Sequence, residues 1–139
     1  TVMNITRPTR RSSRAFTLLE LSVVLTVLLA LVSMGFVSTK KMNEWKLGRA
    51  AAESLRSVWT AQRMYLADNP TATVSALTNA ALIPYLPNSA PAIPTVKSLT
   101  GTTLTILVNR IPPAVNAGTG LPYDPSPTTT DLLWDVGQP

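Results

Sequence analysis

Glu20 is the residue of this chain with the clearest chemical demand. It is the only charged side chain in the 22 residues from Phe16 to Val37. A carboxylate in an apolar membrane helix costs about 2.5–3.5 kcal/mol at the centre of the span and less near its end. Such a group asks for a cation. The four charged residues upstream are all arginines, Arg7, Arg10, Arg11 and Arg14. An apolar helix of this length can cross a bilayer. Its basic flank predicts a cytoplasmic N-terminus and an exported remainder. Other chemistry is scarce. The chain has no histidine and no cysteine, so it lacks the commonest general base, the commonest metal ligand and any disulfide. Ser12, Ser13 and the many threonines have no base partner, and there is no glycine-rich phosphate loop. The expectation is a protein that is not an enzyme and holds no cofactor. Asp124, Asp131 and Asp135 could offer oxygen ligands of the kind calcium takes. Their spacing fits no calcium motif, so they read as solvent-facing turn aspartates and no metal site is expected.

The residues around Glu20 carry a family pattern. Arg14-Ala15 is followed by Phe16-Thr17-Leu18-Leu19-Glu20-Leu21 and then the apolar run. This resembles the processing site of type IV prepilins and type II secretion pseudopilins. The resemblance implies cleavage between Ala15 and Phe16 by a prepilin peptidase, and N-methylation of the new Phe16 amine. It implies that Glu20, fifth in the mature chain, pairs with the N-terminal amine of a neighbouring subunit. An ammonium and a carboxylate in low dielectric each relieve the other's burial cost. The family usually has Gly where this chain has Ala15. The implied partners are the inner membrane, the peptidase, the pilus assembly machinery and other pilins in a homo-oligomeric or mixed filament. The implied location is the inner membrane for the precursor, and the periplasm or a cell-surface filament after assembly.

Three functions compete on these residues. The first is a structural subunit of a type IV pilus-like filament, with a type II secretion pseudopilin as its variant. The second is a non-assembling single-pass anchored binding protein, in which Glu20 would be incidental. The third is a freely secreted domain. An ordinary secretory signal has a shorter apolar region and a small-residue cleavage site after it; Ser33-Met34-Gly35-Phe36-Val37 is a poor site of that kind. The formal charge of +5 comes mostly from the leader arginines. From Phe16 onward, eight Lys or Arg face seven Asp or Glu. The basic pI is therefore a topology signal, and no nucleic-acid partner is expected.

Proline divides the rest of the chain. None occurs between Pro8 and Pro70, and eleven of the twelve lie at or after Pro70. Proline is largely excluded from helix interiors, so 16–69 can form one helix that stops at Asn69-Pro70. Its first half is apolar all round. After Lys40-Lys41 it turns amphipathic, with Trp45, Gly48, Ala52, Leu55, Trp59, Gln62 and Leu66 on the stripe expected to face the core. Lys46, Arg49, Glu53, Arg56, Thr60 and Arg63 are expected to face water. Gly35, with Ser33 and Ser38, reads either as a soft spot in the span or as a site of close helix packing.

Beyond Pro70 the expected elements are short. Residues 75–83 read as a helix capped by Thr73 or Ser75, with Val74, Leu77 and Leu82 inward. The prolines from Pro84 to Pro94 fix an extended loop. Three strands are expected, over 95–99, 102–109 and 131–136. Leu104, Ile106 and Val108 share one face of the second, and Leu132, Trp134 and Val136 one face of the third. The fold class is α+β and pilin-like: a long N-terminal helix on a small three-stranded antiparallel sheet. The expected domains are a leader at 1–15, a transmembrane or filament-core helix at 16–38, an amphipathic helix at 39–69 and a small head at 70–139.

Overall fold

A computed structural model describes residues 16–137. Helix α1 runs from Leu18 to Asp68, 51 residues without interruption. Its limits follow from the sequence. Thr17 precedes the apolar run, and the Asn69-Pro70 pair closes it. At the closing end, Asn69 donates its backbone N–H and its side-chain Nδ2 to the Tyr65 carbonyl, each at 2.9 Å. The helix is continuous through Gly35, where an added Cβ would meet nothing of the chain within 4 Å.

By compactness the chain divides at Ser38/Thr39. The first unit is the apolar part of α1. Its polar side chains satisfy themselves within the helix: Ser22 donates to the Leu19 carbonyl at 2.8 Å, Thr26 to Ser22 at 2.8 Å and Ser33 to Leu29 at 2.7 Å. Such back-bonding gives these three hydroxyls a partner inside the helix, as an apolar surrounding requires.

The second unit packs the rest of α1 against everything that follows. The buried stripe on α1 is Gly48, Ala51, Ala52, Leu55, Val58, Ala61 and Gln62. It keeps Gly48, Ala52, Leu55 and Gln62 of the expected stripe and takes Ala51, Val58 and Ala61 in place of Trp45, Trp59 and Leu66. Trp45 is 51% exposed, and Trp59 is half-buried beneath the Arg63 guanidinium, 5.4 Å from the ring centroid. The core takes a glycine at position 48 because the side chains of Leu133 and Trp134 come close to the helix there. An added Cβ at Gly48 would sit 2.8 Å from Trp134 Nε1. A tryptophan stripe would hold the head too far away.

The segment after Pro70 is broken more finely than the spacing predicts. A 3-10 turn at Val74–Ala76 and a short helix α2 (Asn79–Leu82) replace one helix over 75–83. The cap is Thr78, whose Oγ1 accepts the Ala81 N–H at 3.4 Å; Thr73 makes no such bond. Leu77 and Leu82 are buried and Val74 is partly so, as the pattern requires. Two further 3-10 turns, Ile83–Tyr85 and Pro87–Ser89, follow the prolines.

The β region is two small antiparallel sheets instead of one three-stranded sheet. Strand β1 (Val96–Lys97) pairs with β2 (Thr103–Leu104), in register Val96 with Leu104. Strand β3 (Ile106–Leu107) pairs with β4 (Ala114–Val115), in register Ile106 with Val115. The strand expected over 102–109 is thus divided at Thr105, and each half has its own partner. Its inward face is as expected, with Ile106 and Val108 buried and Leu104 partly buried. Strand β4 was missed because it lies between Pro113 and the turn-forming Asn116, too short to show alternation.

Residues 131–136 form no strand. Trp134 and Val136 are buried in the core, but Leu133 and not Leu132 packs against it, and Leu132 and Trp134 have φ of +65° and +64°. Left-handed backbone at bulky residues is unfavourable unless its surroundings impose it. Asp131 Oδ1 accepts the Leu133 N–H at 3.0 Å, and Asp135 Oδ1 accepts the Gly137 N–H at 2.5 Å. These side-chain turns hold the backbone away from a ladder. The Trp134 N–H instead donates to the Gly48 carbonyl at 3.1 Å.

Candidate functional site

The N-terminal site is built by the start of α1. Thr17 occupies the position before the first helical residue, and its Oγ1 accepts the Glu20 N–H at 3.2 Å. The Thr17 carbonyl accepts the Leu21 N–H at 3.1 Å. A helix start leaves four N–H groups without partners, and a threonine cap satisfies one of them. This places Glu20 in the third helical position, where the helix dipole favours a carboxylate. The spacing Thr-x-x-Glu is that of a capping box. It was legible in the sequence, yet the role of Thr17 was not drawn from it. Phe16 precedes the helix and is 75% exposed. Ala15 lies outside the described residues.

Every residue from 16 to 43 is exposed on the isolated chain. Leu18 is 92% exposed, and long side chains such as Leu29, Leu31, Met34 and Phe36 are each more than 60% exposed. An apolar helix of this length with no buried side needs lipid or other protein around it. Residues 10–36, covering the basic flank, the Phe-Thr-Leu-Leu-Glu run and the apolar helix, match a family model described as the prokaryotic N-terminal methylation motif. The chain carries the signature of type IV pilins and pseudopilins. The match covers that N-terminal stretch, and the long helix followed by a small antiparallel β region is consistent with a pilin-like α+β fold. No curated protein and no solved structure matches the chain significantly.

The C-terminal aspartates each hold a backbone turn. Asp124 Oδ1 accepts both the Ser126 N–H at 3.0 Å and the Ser126 hydroxyl at 2.5 Å. Together with Asp131 and Asp135, it uses one carboxylate oxygen to hold a backbone turn. Among the described residues, no group of three His, Cys, Asp or Glu stands close enough to hold a metal ion. Asn116 belongs to the same scheme, its Oδ1 accepting the N–H of Gly118 at 2.9 Å and of Gly120 at 3.0 Å.

Asp135 is the strained member of the set. One of its oxygens, Oδ2, is sealed from water and has no hydrogen-bond partner. Burial pushes its pKa above the ordinary carboxylate value, the Gly137 N–H opposes that rise, and the charges of Asp131 and Asp124 add to it. A raised folded-state pKa means that folding favours the protonated acid. The group's contribution to stability is therefore full below the unfolded value, near 3.8, and is lost as pH rises through the folded value. Asp135→Asn keeps the Oδ1 acceptor and removes the titration. It is expected to melt above the natural protein at pH 7, with the gap closing below about pH 4. The gain stays below ~1 kcal/mol, because water screens a partly exposed charge. Thermal melts of both proteins across pH 3–8 check this, and a variant that melts lower at pH 7 overturns it.

Gln62 is the other polar anchor. It is fully buried, and its Nε2 donates to the carbonyls of Val108 at 2.8 Å and Arg110 at 3.0 Å. These two bonds tie α1 to the chain leaving β3. At the far end of α1, Tyr65 and Tyr85 meet edge to face at 5.6 Å, and the Asp68 carboxylate beside Tyr85 raises its hydroxyl pKa.

Proposed function

We propose that this protein is a structural subunit of a type IV pilus-like filament. The observation that carries the reading is the methylation motif on residues 10–36, which opens an apolar helix with no buried face. The precursor sits in the inner membrane with residues 16–38 as its span. A prepilin peptidase cuts between Ala15 and Phe16, removing the leader 1–15, and the Phe16 amine is methylated. The assembly machinery then moves the apolar helix from lipid into a filament core. There it packs on other pilins, and Glu20 sets register by pairing with a neighbour's Phe16 ammonium. Residues 39–69 and the head 70–139 lie outside that core.

Physical chemistry favours each step. Thr17 and the back-bonded Ser22, Thr26 and Ser33 leave few polar groups to satisfy during extraction. The carboxylate of Glu20 is the one charged group of the apolar span, and a neighbour's amine would supply its counter-charge in the filament.

Mass spectrometry of the N-terminus, on protein from its native membrane and from sheared surface material, tests the reading. The expected result is a chain beginning at methylated Phe16 in both fractions. The same start in the membrane alone would assign it to a short secretion pseudopilus. A start upstream of Ala15 would leave an uncleaved anchor and refute the filament role.

A further inference from the structure

The positive charge of the exported part is gathered in one place. Residues 40–49 contain Lys40, Lys41, Lys46 and Arg49 against the single carboxylate of Glu44. From residue 50 to the C-terminus, four Lys or Arg face five Asp or Glu. All four cations of the first group are exposed. They begin two residues after Ser38, where the apolar unit ends. Lysine and arginine beside the exported end of a span run against the usual charge bias, so their concentration here needs a counter-charge.

The same short stretch also carries apolar surface. Met42 and Trp45 are 53% and 51% exposed. Beside them lies an open groove of about 410 Å³, whose lining includes Lys41, the one carboxylate Glu44, Trp45, Leu99, Pro125 and Leu133. Leu99, on the turn between β1 and β2, is 40% exposed. An exposed tryptophan among lysines, directly after an apolar span, has the composition of a membrane-interface belt.

We infer that Lys40, Lys41, Lys46 and Arg49, with Trp45 and the groove beside it, form a docking surface for anionic phospholipid headgroups on the outer leaflet of the inner membrane. The cations meet lipid phosphates, Trp45 sits at headgroup level, and the head rests on the bilayer while the subunit waits for assembly. Charge complementarity selects this occupant over a second copy of the chain, because the same patch on two copies would repel. The proposal rests on the membrane-anchored precursor described above, and it adds a second, electrostatic hold to the apolar one. Each lysine near an anionic surface strengthens the docked state about fivefold.

The absence of cysteine allows single-site labelling. The full chain is reconstituted in vesicles of phosphatidylcholine alone, or with one part in three phosphatidylglycerol, carrying a headgroup-attached quencher. A fluorophore on Leu99→Cys reads the groove. One on Ala67→Cys reads the far end of α1, roughly 33 Å along the helix from Trp45. Expected are several-fold stronger quenching at position 99 in the anionic vesicles, none of that gain at position 67, and its loss in a Lys41→Gln/Lys46→Gln double variant. A Lys41→Arg/Lys46→Arg variant should keep it. Equal quenching in both lipids, or a signal that follows the protein-to-lipid ratio instead of lipid charge, would overturn the proposal; the latter would mean a contact between copies. Resistance to alkaline carbonate extraction reports the apolar anchor alone, so failure of the patch and failure of the anchor are told apart.

Discussion

Glu20→Ala is expected to remove filaments while export and folding of the head continue. The cap at the helix start survives the change, because Thr17 accepts the backbone N–H of residue 20 and not its side chain. The head is untouched, since Glu20 is exposed and belongs to the other compact unit. Under the proposed assembly, the change removes the counter-charge for the Phe16 ammonium of a neighbouring subunit. Removing one member of a buried ion pair costs about 3–5 kcal/mol, because the other charge is left unpaired in low dielectric. Spread over each subunit addition, that weakens growth by roughly two to four orders of magnitude. Glu20→Gln separates charge from size and should fail equally. The checks are the amount of protein in the sheared fraction and the melting temperature of membrane-held protein. Filaments of normal abundance in either variant would refute the pairing role.

Trp134→Ala is expected to have the largest effect on the head. The indole is 4% exposed. It meets Tyr123 edge to face with ring centroids 5.2 Å apart, and it lies against Gly48 on α1. The main-chain N–H of residue 134, which the substitution keeps, donates to the Gly48 carbonyl. The substitution empties the space between helix and C-terminal turns, at a cost of about 3–5 kcal/mol. For a unit of this size the melting temperature should fall on the order of 15 °C or more. The size of the effect follows from composition. With no cysteine in the chain, the C-terminal segment is closed on the helix by packing instead of a disulfide. Trp59→Ala is the control. Trp59 is only half-buried under Arg63, and a surface contact of that kind contributes on the order of 1 kcal/mol or less. Equal losses in the two variants would show that Trp134 does not hold the segment.

The sequence alone determined what depends on neighbours in the chain. The apolar length of 16–37, the single carboxylate within it, the basic flank and the proline-free interval are local properties. From them follow the span, the methylation motif and a helix whose expected range of 16–69 is within two residues of α1 at each end. Inward residues with strict alternation, such as Ile106 and Val108, were legible for the same reason. The tertiary structure decided whatever depends on how closely two segments approach. Gly48 lets the C-terminal turns reach the helix backbone, and that close approach brings Ala51, Val58 and Ala61 into the buried stripe and leaves Trp45 outside. Periodicity ranks tryptophan above alanine as a core residue, so it pointed to the wrong edge. Asp131 and Asp135 turned a strand-like pattern into turns, because their side chains capture backbone N–H groups that a ladder would have used. Alternation of apolar residues reports which side chains go inward; it carries no information on where the backbone hydrogen bonds go.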